Sequence, residues 1–159
     1  PVSIVLRQQL AQINVTIRVE GESTIANPQL NNVYTSGSFG RAFDSNGYAT
    51  GGTNGSGWTV SGSTTSINMS STGTPGAYQA VIIPQTINEG TTFFTVEIDG
   101  MTASFGLSGN TNFVAGRQYN LAVDQLTKTL YVSSFLIQDF DDENANTTAT
   151  VGSDGITPQ

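Results

Sequence analysis

The chain has 159 residues, 12 acids against 5 bases, a formal charge of -7, and neither cysteine nor histidine. These facts exclude a zinc site of Cys and His ligands, a thiol nucleophile and a Ser-His pair, and the scattered bases Arg7, Arg18, Arg41, Arg117 and Lys128 form no stripe for nucleic-acid phosphates. Charged residues make up only 11%, with Gly, Ser, Thr and Asn prominent among the rest, which points to a secreted chain large enough to enclose one core.

At the start, Val2, Ile4 and Leu6 alternate, and from Ile13 to Val19 the apolar residues Ile13, Val15, Ile17 and Val19 fall on one phase of period two. Residues 2–19 read as one long strand or as two strands parted near Gln8 and Gln9. A helix over Leu6–Ile13 is the alternative. Residues 21–76 are dense in Gly, Ser, Thr and Asn, with turn signals at Gly51-Gly52 and Asn54-Gly55-Ser56-Gly57. Short strands are expected between them, near Leu30–Thr35, Tyr48–Thr50, Gly57–Val60 and Ser66–Ser70. A flexible linker would not carry Phe39, Phe43, Tyr48 and Trp58.

The apolar run from Tyr78 to Ile83 predicts a buried strand, stopped by Pro84, which has no N–H to donate to a ladder. Phe94, Val96 and Ile98 alternate next, Asp99-Gly100 is a favoured hairpin turn, and Met101–Leu107 is the returning partner. Tyr119, Leu121 and Val123 predict another strand, followed by a turn through Leu126, Thr127 and Lys128. Leu130 and Val132 then lie on the opposite phase from Phe135 and Ile137, so an extra residue at Ser133-Ser134 is needed to keep both pairs inward, and a β-bulge is predicted there. Beyond Phe140 the apolar period stops; residues 1–140 read as a single domain and residues 141–159 as a mobile acidic and polar tail. No 18-residue apolar window, signal-peptide pattern or long repeat is visible, and the chain reads as a mature product or an excised domain.

This pattern resembles the fimbrillin-like (Mfa-like) family of pilins and surface adhesins of Bacteroidetes. The residues that carry the likeness are Leu10-Ala11-Gln12-Ile13, Ile82-Ile83-Pro84-Gln85-Thr86, the hairpin Phe94–Gly100, the string Phe113-Val114-Ala115-Gly116-Arg117-Gln118-Tyr119, and the closing Leu130, Val132, Ile137 and Asp139-Phe140. The likeness covers about residues 4–140. Gln8 stands where many members have His, and Asp139-Phe140 where many have Asp-Trp. The resemblance implies an all-β, transthyretin-like Greek-key β-sandwich of about seven or more strands, exported as a lipoprotein and associated with the outer membrane before it joins a fimbrium at the cell surface. The family's lipidated Cys is absent, so either a leader has been removed or another domain precedes this one.

The partners it implies are other pilin subunits, with a host or bacterial surface glycan or protein as receptor, and no nucleic acid. In the resembling pilins a neighbour's extended segment completes an incomplete sandwich, which makes Val2, Ile4 and Leu6 the candidate assembly strand, unless they are an ordinary first strand. Trp58, Tyr48 and Phe43, with Phe39, are a candidate ligand platform or else the cap of a sandwich edge. Asp139, Asp141, Asp142 and Glu143 lack the spacing of a calcium loop and read as a solvated strand end. Glu97 on an outward phase and Asp44 and Asp99 in turns do not suggest a glycosidase pair. No enzyme activity, metal or cofactor is expected. A carbohydrate-binding module on the same scaffold is the rival function, and a hydrolase fragment is the weakest alternative.

Overall fold

The computed structural model describes residues 8–40, 42–45, 49–52, 56–126 and 129–139. These residues form strands and no helix, arranged as a β-sandwich. A five-stranded sheet runs in the order β11 (Thr129–Asp139), β10 (Arg117–Leu126), β1 (Ala11–Arg18), β5 (Ala77–Ile82) and β4 (Ser70–Ser71). A four-stranded sheet runs β3 (Trp58–Asn68), β2 (Ile25–Phe39), β7 (Thr92–Ile98) and β8 (Met101–Gly106), and β6 (Gln85–Ile87) pairs with β9 (Thr111–Phe113).

The clean alternation read at Ile13–Val19 becomes β1. Ala11, Ile13, Val15 and Ile17 are buried, while Thr16 and Arg18 face solvent. The strand lies parallel to β10 and antiparallel to β5, so its apolar side chains meet those of both neighbours. Across the core from them lie Leu30 and Val33 of β2, Phe94, Val96 and Ile98 of β7, and Phe105 of β8. Each such side chain, taken out of water, contributes about 1.5–3 kcal/mol. On the opposite face of the sheet, an amide links β1 to β10: Asn14 Nδ2 donates to Asn120 Oδ1 at 2.9 Å, while Gln12 Nε2, in the same strand as Asn14, donates to Asn14 Oδ1 at 2.7 Å.

A line of rings crosses from one layer to the other. Phe93 stacks on Phe113 with centroids 5.1 Å apart, Phe113 meets Tyr119 at 4.7 Å, and Tyr119 meets Phe135 at 6.1 Å. Phe93 joins this line because the β7–β8 register shifts between Thr92 and Phe94, which lets consecutive phenylalanines both be buried. The Tyr119 hydroxyl donates to Asn112 O at 2.9 Å and accepts from Val114 N at 2.8 Å. One buried phenol thereby satisfies two backbone groups of the turn that leads into its own strand, the same economy as a tyrosine corner. Burial pushes the phenol's pKa up, against a smaller opposing pull from the Val114 N–H.

The predicted hairpin is present. Asp99 (φ 51°) and Gly100 (φ 77°) both take positive φ, as a two-residue type I′ turn requires. Asp99 also fastens the turn to the chain ahead of β2: Thr24 N donates to its Oδ1 at 2.8 Å, and Asp99 N donates to Thr24 O at 3.0 Å. The Thr24 N–H, followed by the Ser23 hydroxyl, holds this carboxyl below the usual aspartate range. The bulge expected at Ser133-Ser134 is present too. Ala122 pairs with Ser134 and Val123 with Val132, leaving Ser133 as the extra residue.

Other expectations need correction. The two strands predicted near Gly57–Val60 and Ser66–Ser70 are one strand, β3, and the Leu30–Thr35 strand extends to fifteen residues as β2. Positive-φ residues are absorbed as bulges: Asn32 (φ 57°) and Gly62 (φ 83°) sit where the β2–β3 register shifts, so they bend the ribbon without ending it. No strand forms at Tyr48–Thr50 among the described residues; Ala49 makes only an isolated bridge to Phe43. The run from Tyr78 to Ile83 is not buried on both faces, because β5 lies next to the sheet edge and leaves Val81 50% exposed. The short strands β4, β6 and β9 were not anticipated. Val2, Ile4, Leu6, Tyr48, the Thr127-Lys128 turn and the tail 141–159 lie outside the described residues.

Replacing Tyr119 by Phe should lower stability by about 1–3 kcal/mol, because the Asn112 carbonyl and Val114 N–H lose a buried partner; a urea midpoint equal to wild type would refute this. A depressed aspartate contributes stability that is present above its unfolded pKa and lost as pH falls through its folded value. The Thr24 amide resonance should therefore move as pH falls below the usual aspartate range and Asp99 is protonated, and should lose that response in Asp99→Asn.

Candidate interaction site

Beyond Leu30, β2 leaves β7 and pairs with β3 alone, so the stretch from Val33 to Phe39 and its β3 partners form a two-stranded ribbon. Such a ribbon is marginal in water unless something else holds it. Most of its side chains, from Thr35 to Ser38 and from Ser61 to Ser66, are small, polar and exposed. Beyond the burial of Val33 in the core, two hydrogen-bonded side chains among the described residues fasten it to the sandwich.

At the base stands Gln85, which is fully buried. Its Oε1 accepts from Tyr34 N at 2.8 Å, and its Nε2 donates to Tyr34 O at 3.2 Å and to Ile83 O at 3.0 Å. The side-chain amide thus offers Tyr34 the donor and acceptor that a neighbouring strand would supply. At the other end, Trp58 Nε1 donates to Gln9 O at 2.9 Å, tying the ribbon to the segment that leads into β1. That segment is held from a second side by Gly116 N, which donates to Leu10 O at 3.0 Å.

The aromatic side chains singled out in the sequence come together here. Phe39 lies between Trp58, at a centroid distance of 5.1 Å, and Phe43, at 6.3 Å, with tilted rings in both pairs. Gly52 packs on the backbone of Trp58 so closely that a Cβ there would stand 2.3 Å from Trp58 O; only glycine fits. Trp58 is half-buried and its N–H is satisfied internally, so this ring is first of all a clamp. Phe43 is different: it is 53% exposed and presents its ring outward. An exposed ring backed by two others offers contact area at low entropic cost to a sugar face or an apolar side chain.

Two of the acids weighed as a hydrolytic pair, Glu97 and Asp99, have local tasks. Glu97 Oε2 accepts from Asn27 Nδ2 at 2.8 Å and Asp99 holds Thr24. Asp124 forms an ion pair with Arg18 at 3.4 Å on the face of the five-stranded sheet. Gln85 was visible in the sequence only as part of the Ile82–Thr86 string; nothing in the local pattern disclosed that its amide would replace a strand.

A sequence model of the fimbrillin-like family matches residues 1–140. No curated protein sequence matches the chain. Among solved structures, a candidate cell-adhesion protein from Bacteroides uniformis is 16% identical with a TM-score of 0.59, over 84% of this chain and 51% of that one. Another from Bacteroides ovatus is 16% identical with a TM-score of 0.54, over 85% of this chain and 46% of that one. One from Bacteroides fragilis is 14% identical with a TM-score of 0.50, over 84% and 46%. At these identities the likeness is one of fold, and this chain spans about half the length of each of those proteins.

Replacing Gln85 by Ala strands the Tyr34 N–H and C=O and leaves a void, and should cost about 1–3 kcal/mol with faster amide exchange concentrated at Val33–Thr35. Unchanged exchange at Tyr34 would show that the ribbon has another anchor.

Proposed function

The chain belongs to the fimbrillin-like family, and from that premise we propose that it is a structural and adhesive domain of a cell-surface fimbria, joined to neighbouring subunits by β-strand addition. In this reading residues 1–140 are the domain, residues 141–159 a tail, and the protein works at the outer surface of the cell as a scaffold and not as a catalyst.

The observation that carries the assembly part is the state of the sheet edges. β3 and β8 border the four-stranded sheet, and neither contains a charged residue or a proline, the usual devices that keep edge strands from pairing. Met101 of β8 is 66% exposed at the end of its edge. A strand from a neighbour gains main-chain hydrogen bonds along such an edge and specificity from alternate side chains. Val2, Ile4 and Leu6 provide that alternation and are the donor we assign.

The carbohydrate-binding reading has one observation in its favour, the exposed Phe43 ring on the Phe39–Trp58 base. In the fimbrial reading the same surface serves adhesion, to a glycan or protein of a host or bacterial surface.

Under assembly conditions the full chain should give a ladder of oligomers in unheated detergent gels, and a variant with Val2, Ile4 and Leu6 all changed to Asp should remain monomeric with an unaltered β-sheet circular dichroism spectrum. A wild-type chain that stays strictly monomeric while binding a glycan array through Phe43 would replace the fimbrial reading by the carbohydrate-binding one.

A further inference from the structure

We propose that the outer face of the five-stranded sheet is a binding site for a neutral glycan, formed by Gln79, Gln12 and Gln118 around a central Asn14. The site stands apart from strand addition and from the Phe43 ring, and it holds whether or not the chain polymerises.

The strand registers bring these residues together. Gln12 lies opposite Gln118 of β10 and Val81 of β5, and Asn14 lies opposite Asn120 and Gln79, so amide side chains from three adjacent strands share one face. Asn14 has its carbonyl and both amide hydrogens engaged: Oδ1 accepts from Gln12 Nε2 at 2.7 Å, and Nδ2 donates to Asn120 Oδ1 at 2.9 Å and to Gln118 Oε1 at a longer 3.4 Å. Gln12 Nε2 also reaches Gln79 Oε1 at 3.5 Å. These contacts orient the surrounding amides. With their carbonyls turned toward the centre, Gln79 and Gln118 present Nε2, while Gln12, whose Nε2 is engaged on two sides, presents Oε1. Donor, acceptor and donor thus follow one another from β5 to β10, on strands about 4.8 Å apart. Each is set before a ligand arrives, which lowers the entropy cost of binding.

The chemistry of the face selects its ligand. A sugar hydroxyl both donates and accepts, so neighbouring hydroxyls of a glycan match an alternation of amino and carbonyl groups. Val81, 50% exposed opposite Gln12, supplies an apolar patch for the C–H groups of a sugar ring. The net charge of -7 disfavours acidic glycans and nucleic acid, and Arg18, on the same strand, is paired with Asp124 at 3.4 Å. A peptide is disfavoured for another reason: its main chain needs a sheet edge to pair with, and this is a face. The other sheet lacks the pattern, since Asn31 turns its amide hydrogens on Gln29 O and Thr95 and its carbonyl on Ser66, and Glu97 adds a charge.

The probes are neutral hexasaccharides of glucose and of mannose, titrated at millimolar concentration into the isotope-labelled full chain. At least one should shift the side-chain amide resonances of Gln12, Gln79 and Gln118 together. Gln118→Glu keeps the shape and the oxygen that faces Asn14 but turns a donor into an acceptor, and should weaken that binding about ten-fold. Gln79→Glu makes the same change at an exposed position and decides the matter if Gln118→Glu does not fold. Absence of shifts with both probes overturns the proposal, as does unaltered affinity in these variants or a response to a sulfated hexasaccharide alone. Shifts that follow protein concentration and not saccharide would make the face an interface between copies of the chain and overturn it too. Binding lost in Phe43→Ala but intact in Gln79→Glu would return the ligand to the aromatic surface and likewise overturn it.

Discussion

The structure hangs on the place of β1. This strand lies in the middle of the five-stranded sheet, parallel to β10 on one side and antiparallel to β5 on the other, although both partners are distant in sequence. No local hairpin can build such an arrangement, so the sheet closes only when residues far apart along the chain meet, and the entropy of those closures must be offset by burial. Ala11, Ile13, Val15 and Ile17 supply that burial, at the contact between Tyr119, Leu121 and Val123 on one side and Ala80 and Ile82 on the other. The Gln9 carbonyl that takes the Trp58 N–H and the Leu10 carbonyl that takes the Gly116 N–H both lie at the entrance to this strand.

How much of this could be read from the residues alone depended on how local the governing physics was. The β1 strip, the Asp99-Gly100 hairpin and the Ser133 bulge all follow from period-two patterning and turn chemistry within a dozen residues, and all three are in the structure. The ribbon was misjudged because residues 61–65, all Ser, Gly or Thr, look like a break between two short strands, whereas with a partner strand alongside Gly62 falls at a bulge within a continuous ladder. β6 and β9 were invisible for a related reason: each is three residues long, and their pairing depends on Phe113 meeting Phe93 and Tyr119 through the third dimension. The aromatic cluster was legible as a set of rings but not as a mixed site, in which Trp58 is internally engaged and Phe43 is the one turned outward.

Polar side chains take a part here that is often left to backbone. Gln85 stands in for a strand beside Tyr34, the Tyr119 hydroxyl closes the turn at Asn112 and Val114, and Asp99 binds the β7–β8 hairpin to Thr24. Each lies where the regular ladder runs out, which is where orphaned N–H and C=O groups would otherwise be buried or left loose. The uncharged edges of β3 and β8 are the opposite case: among the described residues no further strand pairs with them.

The embedding of β1 also determines how the molecule would bear load. A pull on the backbone ahead of Gln8, directed along the strand, would be resisted by the ladders to β10 and β5 together, sliding them lengthwise so that many bonds must break at once. The same force applied across a terminal hairpin would peel bonds one after another. A subunit tethered through this end would therefore hold in traction with its central strand as the tie rod, long after a chain anchored at an outer strand had unzipped.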